Sequence, residues 1–130
     1  MNGMSRKWFR SGIMKLKVYA YKNCATCRKA LQYLSARGLE FWTIPIREQP
    51  PTRTELKKML KLYGGKTQKL FNTSGQEYKR LNLKAKLPTL TTDEAINLLS
   101  SNGSLVKRPF VLSDEGGIVG FSEEEWEKLK

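Results

Sequence analysis

Apolar and polar positions alternate at the start of the patterned part of the chain. Leu16, Val18 and Ala20 fall on one side and Lys15, Lys17 and Tyr19 on the other, so a period of two predicts a strand over Leu16 to Tyr21. From Ala25 the period lengthens to that of a helix, with Ala30, Leu31 and Leu34 sharing a face and Gly38 as a C-terminal stop. Leu39 to Ile46 is rich in aromatic and β-branched residues and is closed by Pro50-Pro51, which predicts a second strand and completes a β-α-β unit.

The middle of the chain reads as a run of helices. Thr52 followed by Glu55 is a capping-box signature, and it opens an amphipathic stretch with Leu56, Met59, Leu60 and Leu62 that ends at Gly64-Gly65. Ser74 with Glu77, Thr91 with Glu94 and Ser122 with Glu125 repeat the signature, and Asn102-Gly103 ends the helical run. Phe110 to Leu112 and Ile118 to Phe121 then flank Ser113-Asp114-Glu115-Gly116-Gly117 as the arms of a hairpin, and a last helix runs through Trp126. The pattern predicts one α/β domain over residues 15–130, with a helical insertion at about 50–105 between the β-α-β half and the hairpin. Residues 1–14 are basic and show no periodicity; they are expected as a disordered extension, with Met4 and Met14 as alternative starts. Gly116, Gly117 and Gly120 lack the strand-loop-helix context and the lysine of a phosphate-binding loop, so they read as turn glycines.

At 130 residues and 39% apolar content the chain suits a single soluble unit with a modest core. No run of 18 or more apolar residues occurs, and the basic N-terminal stretch has no apolar core of a signal peptide, so a cytoplasmic location is expected, without a membrane partner. The net charge of +12 is unevenly spread. Residues 1–17 hold five Lys or Arg and no acid, 18–113 hold seventeen against six acids, and 114–130 hold two against six. A basic surface of this kind suits an oxyanion, nucleic acid or an acidic protein, or simply keeps the protein soluble. Direct nucleic-acid binding would rest on charge alone, because helix-turn-helix spacing, a zinc finger and an aromatic RNA-binding signature are all missing.

The two cysteines stand at Cys24 and Cys27, directly after the first strand. Two cysteines placed at random in such a chain would fall three apart about once in 65 trials, so the spacing asks for a chemical reason. In a reducing compartment a lone CxxC serves catalysis, regulation or metal binding more readily than a structural disulfide. Histidine is absent, which removes a Cys-His dyad and leaves two ligands for a zinc site that needs four, unless a second copy or carboxylates supply the rest. Thiol chemistry is left, with two buried structural cysteines as the plain alternative. Cys24 lies at a helix N-terminus, where free N–H groups and the helix dipole stabilise a thiolate, and Lys22, Arg28 and Lys29 add positive charge nearby. Cys24 is therefore the expected nucleophile, and Cys27, one turn on, can resolve the adduct by forming an intramolecular disulfide.

Tyr21-Lys22-Asn23-Cys24-Ala25-Thr26-Cys27-Arg28-Lys29, Phe71-Asn72-Thr73-Ser74-Gly75, Leu87-Pro88-Thr89, Lys107-Arg108-Pro109 and Gly120-Phe121 together resemble the arsenate reductase (ArsC) and Spx family, in the family's order. The resemblance covers about residues 15–130. It implies a thioredoxin-like fold, a central mixed four-stranded sheet with helices and the helical insertion. It also implies that Arg108, before a cis Pro109, faces the thiol and holds thiolate or oxyanion charge, and that Asn23, Arg28 and Pro109 contribute to binding. No bound cofactor is implied. The reductant would be a thiol system, glutathione with glutaredoxin or thioredoxin.

Two family arginines that surround the oxyanion are replaced, the first position matching Asn72 and the second Phe121. Lys69, Lys79 and Arg80 are the candidates to compensate. Family reductases commonly carry serine where this chain has Cys27, so the second thiol points to internal resolution. The resemblance leaves two functions open: an arsenate-reductase-like thiol oxidoreductase, and an Spx-like redox regulator that binds the RNA polymerase alpha subunit. Spx-type regulators commonly continue into a basic C-terminal extension, whereas this sequence stops at an acidic helix, which favours the enzyme.

Overall fold

The switch of apolar period along the chain is realised as β1 (Lys15–Ala20), α1 (Ala25–Ala36) and β2 (Glu40–Pro45). The computed structural model describes residues 15–114 and 116–127, so the extension expected at 1–14 lies outside the described residues. The chain divides into two units, Met1–Pro45 with Arg108–Lys130, and Ile46–Lys107. Among the described residues no helix is long and apolar enough to cross a membrane.

The first unit is built on a four-stranded mixed sheet of order β2-β1-β3-β4, with β3 spanning Phe110–Leu112 and β4 spanning Gly117–Val119. β1 runs parallel to β2, with Leu16 opposite Phe41, and antiparallel to β3, with Val18 opposite Val111. The parallel pair needs a crossover, and α1 provides it. Gly38 ends that helix in a left-handed conformation at φ 70°, and the Leu39 N–H returns to the Leu34 carbonyl at 3.1 Å. Leu16, Val18 and Ala20 from β1 then pack with Ala30 and Leu34 from α1, Val111, Ile118 and the indole of Trp126.

Trp126 belongs to α6 (Glu123–Glu127) and is fully buried. Its Nε1–H donates to the Gly120 carbonyl at 3.1 Å, which satisfies the one polar atom that burial would otherwise strand. Phe121 and Tyr33 meet it edge-on with centroids at 4.7 and 5.5 Å. At the rim the Tyr33 hydroxyl donates to the Glu127 carboxylate at 3.1 Å, and Arg37 pairs with the same carboxylate while lying over the Tyr33 ring.

Three boundaries differ from the sequence pattern. β1 stops at Ala20, so Tyr21 is a loop residue. Tyr19, on the polar side of the alternation, is 1% exposed and packs edge-on against Phe110 at 5.8 Å, because β1 is an interior strand with both faces covered at that end. β4 ends at Val119 rather than Phe121, because Gly120 lies opposite Pro109, which accepts the Gly120 N–H at 2.9 Å but has no N–H to return, and because Gly120 turns to a left-handed φ of 73°.

The second unit holds α2 (Arg53–Leu62), α3 (Gln76–Arg80), α4 (Leu83–Lys86) and α5 (Thr92–Ser101), with short 3-10 turns at Thr67–Leu70, Leu87–Thr89 and Gly103–Leu105. Both expected capping boxes at Thr52 and Thr91 are closed in each direction. The Ser74 box does not form. Gly75 stands at the N-cap of α3 without a side-chain bond, and Glu77 is drawn off by Arg80 at 2.9 Å and by Asn102 Nδ2 at 3.2 Å. Arg53 at the start of α2 reaches Asp93 at 2.7 Å and also Asn97, which ties α2 to α5. The unit closes where the Lys107 N–H donates to the Leu70 carbonyl at 2.8 Å.

Two substitutions test this account. Trp126→Ala removes the indole on which Tyr33 and Phe121 pack and should cost about 3–5 kcal/mol in urea unfolding. Gly103→Ala would place a Cβ 1.8 Å from the Ile46 carbonyl oxygen, main chain that has to move. It should lower unfolding stability by about 2 kcal/mol or more.

Candidate active site

The loop between β1 and α1 fixes the reactive sulfur through main-chain bonds. The Cys24 N–H donates to the Tyr21 carbonyl at 3.0 Å, which closes the turn over Lys22 and Asn23, and the Arg28 N–H donates to the Cys24 carbonyl at 3.1 Å as the first helical bond. Cys24 is thus the N-cap of α1, with extended φ and ψ of −105° and 115°. Its sulfur does what a serine or aspartate oxygen usually does there, accepting the Cys27 N–H at 3.3 Å. The two cysteines differ in setting. Cys24 is half-buried at the rim, whereas Cys27 is 1% exposed and belongs to the core cluster with Ala30 and Leu34.

That difference separates their acidities. Burial pushes the Cys24 thiol up, but hydrogen bonds from the Cys27 S–H and N–H and from the Arg108 guanidinium, together with the charge of Arg108, outweigh it and leave its pKa below the usual thiol value. Cys27 is pushed up to about 12, first by burial and then by donating its S–H to Cys24. Of the two sulfurs, Cys24 is the one that ionises more readily.

Arg108 is placed by the turn into β3. Its peptide bond to Pro109 is cis, and its guanidinium lies 5.2 Å from the centroid of the Tyr21 ring while hydrogen-bonding Cys24. Asn23 Nδ2 donates to the Tyr21 hydroxyl at 3.3 Å, so Asn23 steadies the ring that supports Arg108. Tyr21 is the residue that the sequence pattern missed; its place at the head of the CxxC motif was the available signal. Arg28 is held on the loop beside the thiol. Its guanidinium donates to the Lys22 carbonyl at 3.1 Å and braces the loop from outside. Pro109 is buried behind Arg108.

The replaced arginines have other tasks here. Phe121 is part of the Trp126 cluster, so its position supplies packing instead of donors. Asn72 sits in a turn of the second unit, its N–H donating to the Leu105 carbonyl at 2.8 Å and its carbonyl accepting the Gly75 N–H at 3.0 Å. Of the candidate compensating cations, Arg80 is committed to Glu77 through two bonds. Among the described residues, no group of three or more His, Cys, Asp or Glu could hold a metal ion.

Residues 19–129 match the model of the ArsC family. The uncharacterised Bacillus subtilis protein YusI is 45% identical over 115 residues, covering 88% of this chain and 98% of YusI. The regulatory protein MgsR of the same organism is 31% identical over 115 residues, 88% of this chain and 90% of MgsR. A crystal structure of a Bacteroides fragilis protein described as related to the ArsC family superposes with a TM-score of 0.83 at 47% identity, over 90% of this chain and 98% of that one.

The acidity argument has a direct readout. The alkylation rate of Cys24 by iodoacetamide should rise with pH to a plateau whose inflection lies below that of an ordinary thiol, since only the thiolate attacks. Arg108→Ala removes one donor and one charge and should move the inflection upward. An unmoved inflection would remove Arg108 from the account.

Proposed function

Because the chain belongs to the ArsC family and has its thioredoxin-like fold, we propose that it is a thiol oxidoreductase of the arsenate-reductase type, with Cys24 as nucleophile, Cys27 as resolving thiol and Arg108 as the anion-stabilising group. The observation that carries this reading is the environment of the Cys24 sulfur, an N-cap atom that takes the Cys27 N–H and the Arg108 guanidinium at once and whose acidity they raise.

The chemistry balances without a bound cofactor. The Cys24 thiolate attacks one sulfur of a substrate disulfide, the new S–S bond forms as the old one breaks, and the leaving sulfur departs as thiolate. At that point Cys24 no longer carries charge, so Cys27 loses the acceptor that helped hold its proton. Cys27 then deprotonates more readily, attacks the Cys24 sulfur and expels the second substrate thiol. Two electrons have passed to the substrate, and the Cys24–Cys27 disulfide is returned to the dithiol by a thiol reductant such as glutathione with glutaredoxin, or thioredoxin.

The departures at Asn72 and Phe121 favour a sulfur substrate over arsenate. A tetrahedral oxyanion is best held by several fork-shaped donors, and among the described residues Arg108 is the arginine that bears on the acidity of Cys24. A redox regulator is the second reading, favoured by the similarity to MgsR along most of both chains. In that reading the same dithiol is a switch, and the partner that the family resemblance implies is the RNA polymerase alpha subunit.

NADPH oxidation by the purified, reduced protein separates these readings when it is coupled to glutathione with glutaredoxin, or to thioredoxin with its reductase. Hydroxyethyl disulfide should be turned over, and arsenate more slowly by about a factor of ten or more. Cys24→Ser should abolish turnover, and Cys27→Ser should accumulate a mixed disulfide on Cys24 that intact-mass spectrometry detects. Full turnover in Cys24→Ser would falsify the nucleophile assignment. Absence of turnover with both substrates, together with a stoichiometric polymerase-subunit complex that survives moderate salt, would select the regulator.

A further inference from the structure

The second unit contains a cleft of about 370 Å³, formed after α2 by the Thr67–Leu70 turn, α3, α4 and the turn that follows α4. A concavity of that size suits a small organic ligand. Lys66, Lys69 and Lys84 line it, and no acidic side chain among the described residues does. None of these three ammonium groups forms an ion pair within the described residues. They bring unbalanced positive charge to one opening, and each carries three donors and no acceptor.

Tyr78 is the independent observation. It lines the same cleft, yet it is only 6% exposed, with its ring edge-on against Phe71 at 6.1 Å. Its hydroxyl makes no hydrogen bond with another described residue. Polar groups on side chains this buried are mostly paired within the protein, so a tyrosine that lines a cationic cleft with no partner for its hydroxyl among the described residues offers that group to a ligand. Leu87 and Pro88 add an apolar surface to the lining. The lining therefore combines donors for an anion with apolar contact for a carbon skeleton.

We propose that this cleft binds a phosphate monoester, its phosphate held by Lys66, Lys69, Lys84 and the Tyr78 hydroxyl and its carbon skeleton laid against Leu87 and Pro88. Lysine ammonium groups act on phosphate as point charges, and the tyrosine adds one directional donor. The site lies wholly within Ile46–Lys107 and uses none of the dithiol residues, so it stands or falls independently of the thiol chemistry.

The test is a titration of the full-length, reduced protein with phenyl phosphate, followed through amide NMR shifts at constant ionic strength. Saturable shifts should cluster at residues 65–69, 78 and 84–88, with a dissociation constant in about the millimolar range. Lys69→Gln should weaken binding by about tenfold. Tyr78→Phe should also weaken it by several-fold, while leaving the melting temperature of the free protein unchanged, because the lost hydroxyl has no protein partner. Shifts spread evenly over the basic surface and indifferent to Lys69→Gln would reduce the cleft to nonspecific charge and overturn the proposal, as would shifts confined to Cys24 and Arg108. A vesicle arm separates a free phosphate ester from a lipid headgroup of the same chemistry. Phenyl phosphate binding without sedimentation on phosphatidylcholine vesicles containing phosphatidic acid supports the free ester. Sedimentation without saturable phenyl phosphate binding overturns it.

Discussion

The hydrogen bond from the Cys27 N–H to the Cys24 sulfur is the contact on which the chemistry of the first unit depends, because it makes the reactive atom a structural one. A helix leaves its first N–H groups without partners, and most proteins spend an oxygen on them. Here a sulfur takes that role, so under the proposed chemistry the atom that caps α1 is also the atom that attacks. The arrangement also ties reaction to conformation. A Cys24 held in a disulfide would be a weaker acceptor than a thiolate, so the proposed reaction would weaken the cap of α1 as it proceeds. A dithiol built this way can serve catalysis or signalling, since each redox step changes how firmly one helix end is held.

Burial divides the labour between the two sulfurs. Cys27 packs in the same cluster as Leu16, Leu34 and Trp126, where ionisation is costly, and Cys24 sits at the margin, where Arg108 reaches it. Two equally exposed thiols would compete for the role of nucleophile. Arg108 in turn lies over Tyr21, and Asn23 touches the Tyr21 hydroxyl, so the guanidinium is supported by the loop that carries the cysteines. Arg108 and Cys24 therefore share one scaffold although they are distant in sequence.

What could be read from the sequence follows the range of the forces involved. The β1, α1 and β2 succession, the Gly38 stop and the capping boxes at Thr52 and Thr91 depend on residues within a few positions of one another, and they form as the pattern predicts. The Ser74 box fails because Glu77 has a better offer from Arg80 and from Asn102, which lies far along the chain. Alternation places Tyr19 on the polar side, since it does not reveal that an interior strand is covered on both faces. The candidate site divides in the same way. The cysteines announce themselves by spacing, Arg108 emerges only through the family resemblance, and Tyr21 is marked by its place at the head of the CxxC motif but not as the support of Arg108.

Phe121 shows how one position limits the chemistry. A guanidinium there would add a fork-shaped donor for a tetrahedral oxyanion, but the same side chain could not also fill the space beside the indole at 4.7 Å. The aromatic choice strengthens the closure of α6 on the sheet through Trp126, Tyr33 and the Arg37–Glu127 pair. The first unit thus gains packing where a dedicated oxyanion reductase would place charge. Among the described residues, what stands at Cys24 is Arg108 and a second thiol one turn away. That set is sufficient for disulfide exchange, which asks for a good nucleophile and a resolving thiol, and meagre for gripping an oxyanion, which asks for several fixed donors. The identity of residue 121 therefore bears on the substrate as directly as the cysteines bear on the reaction.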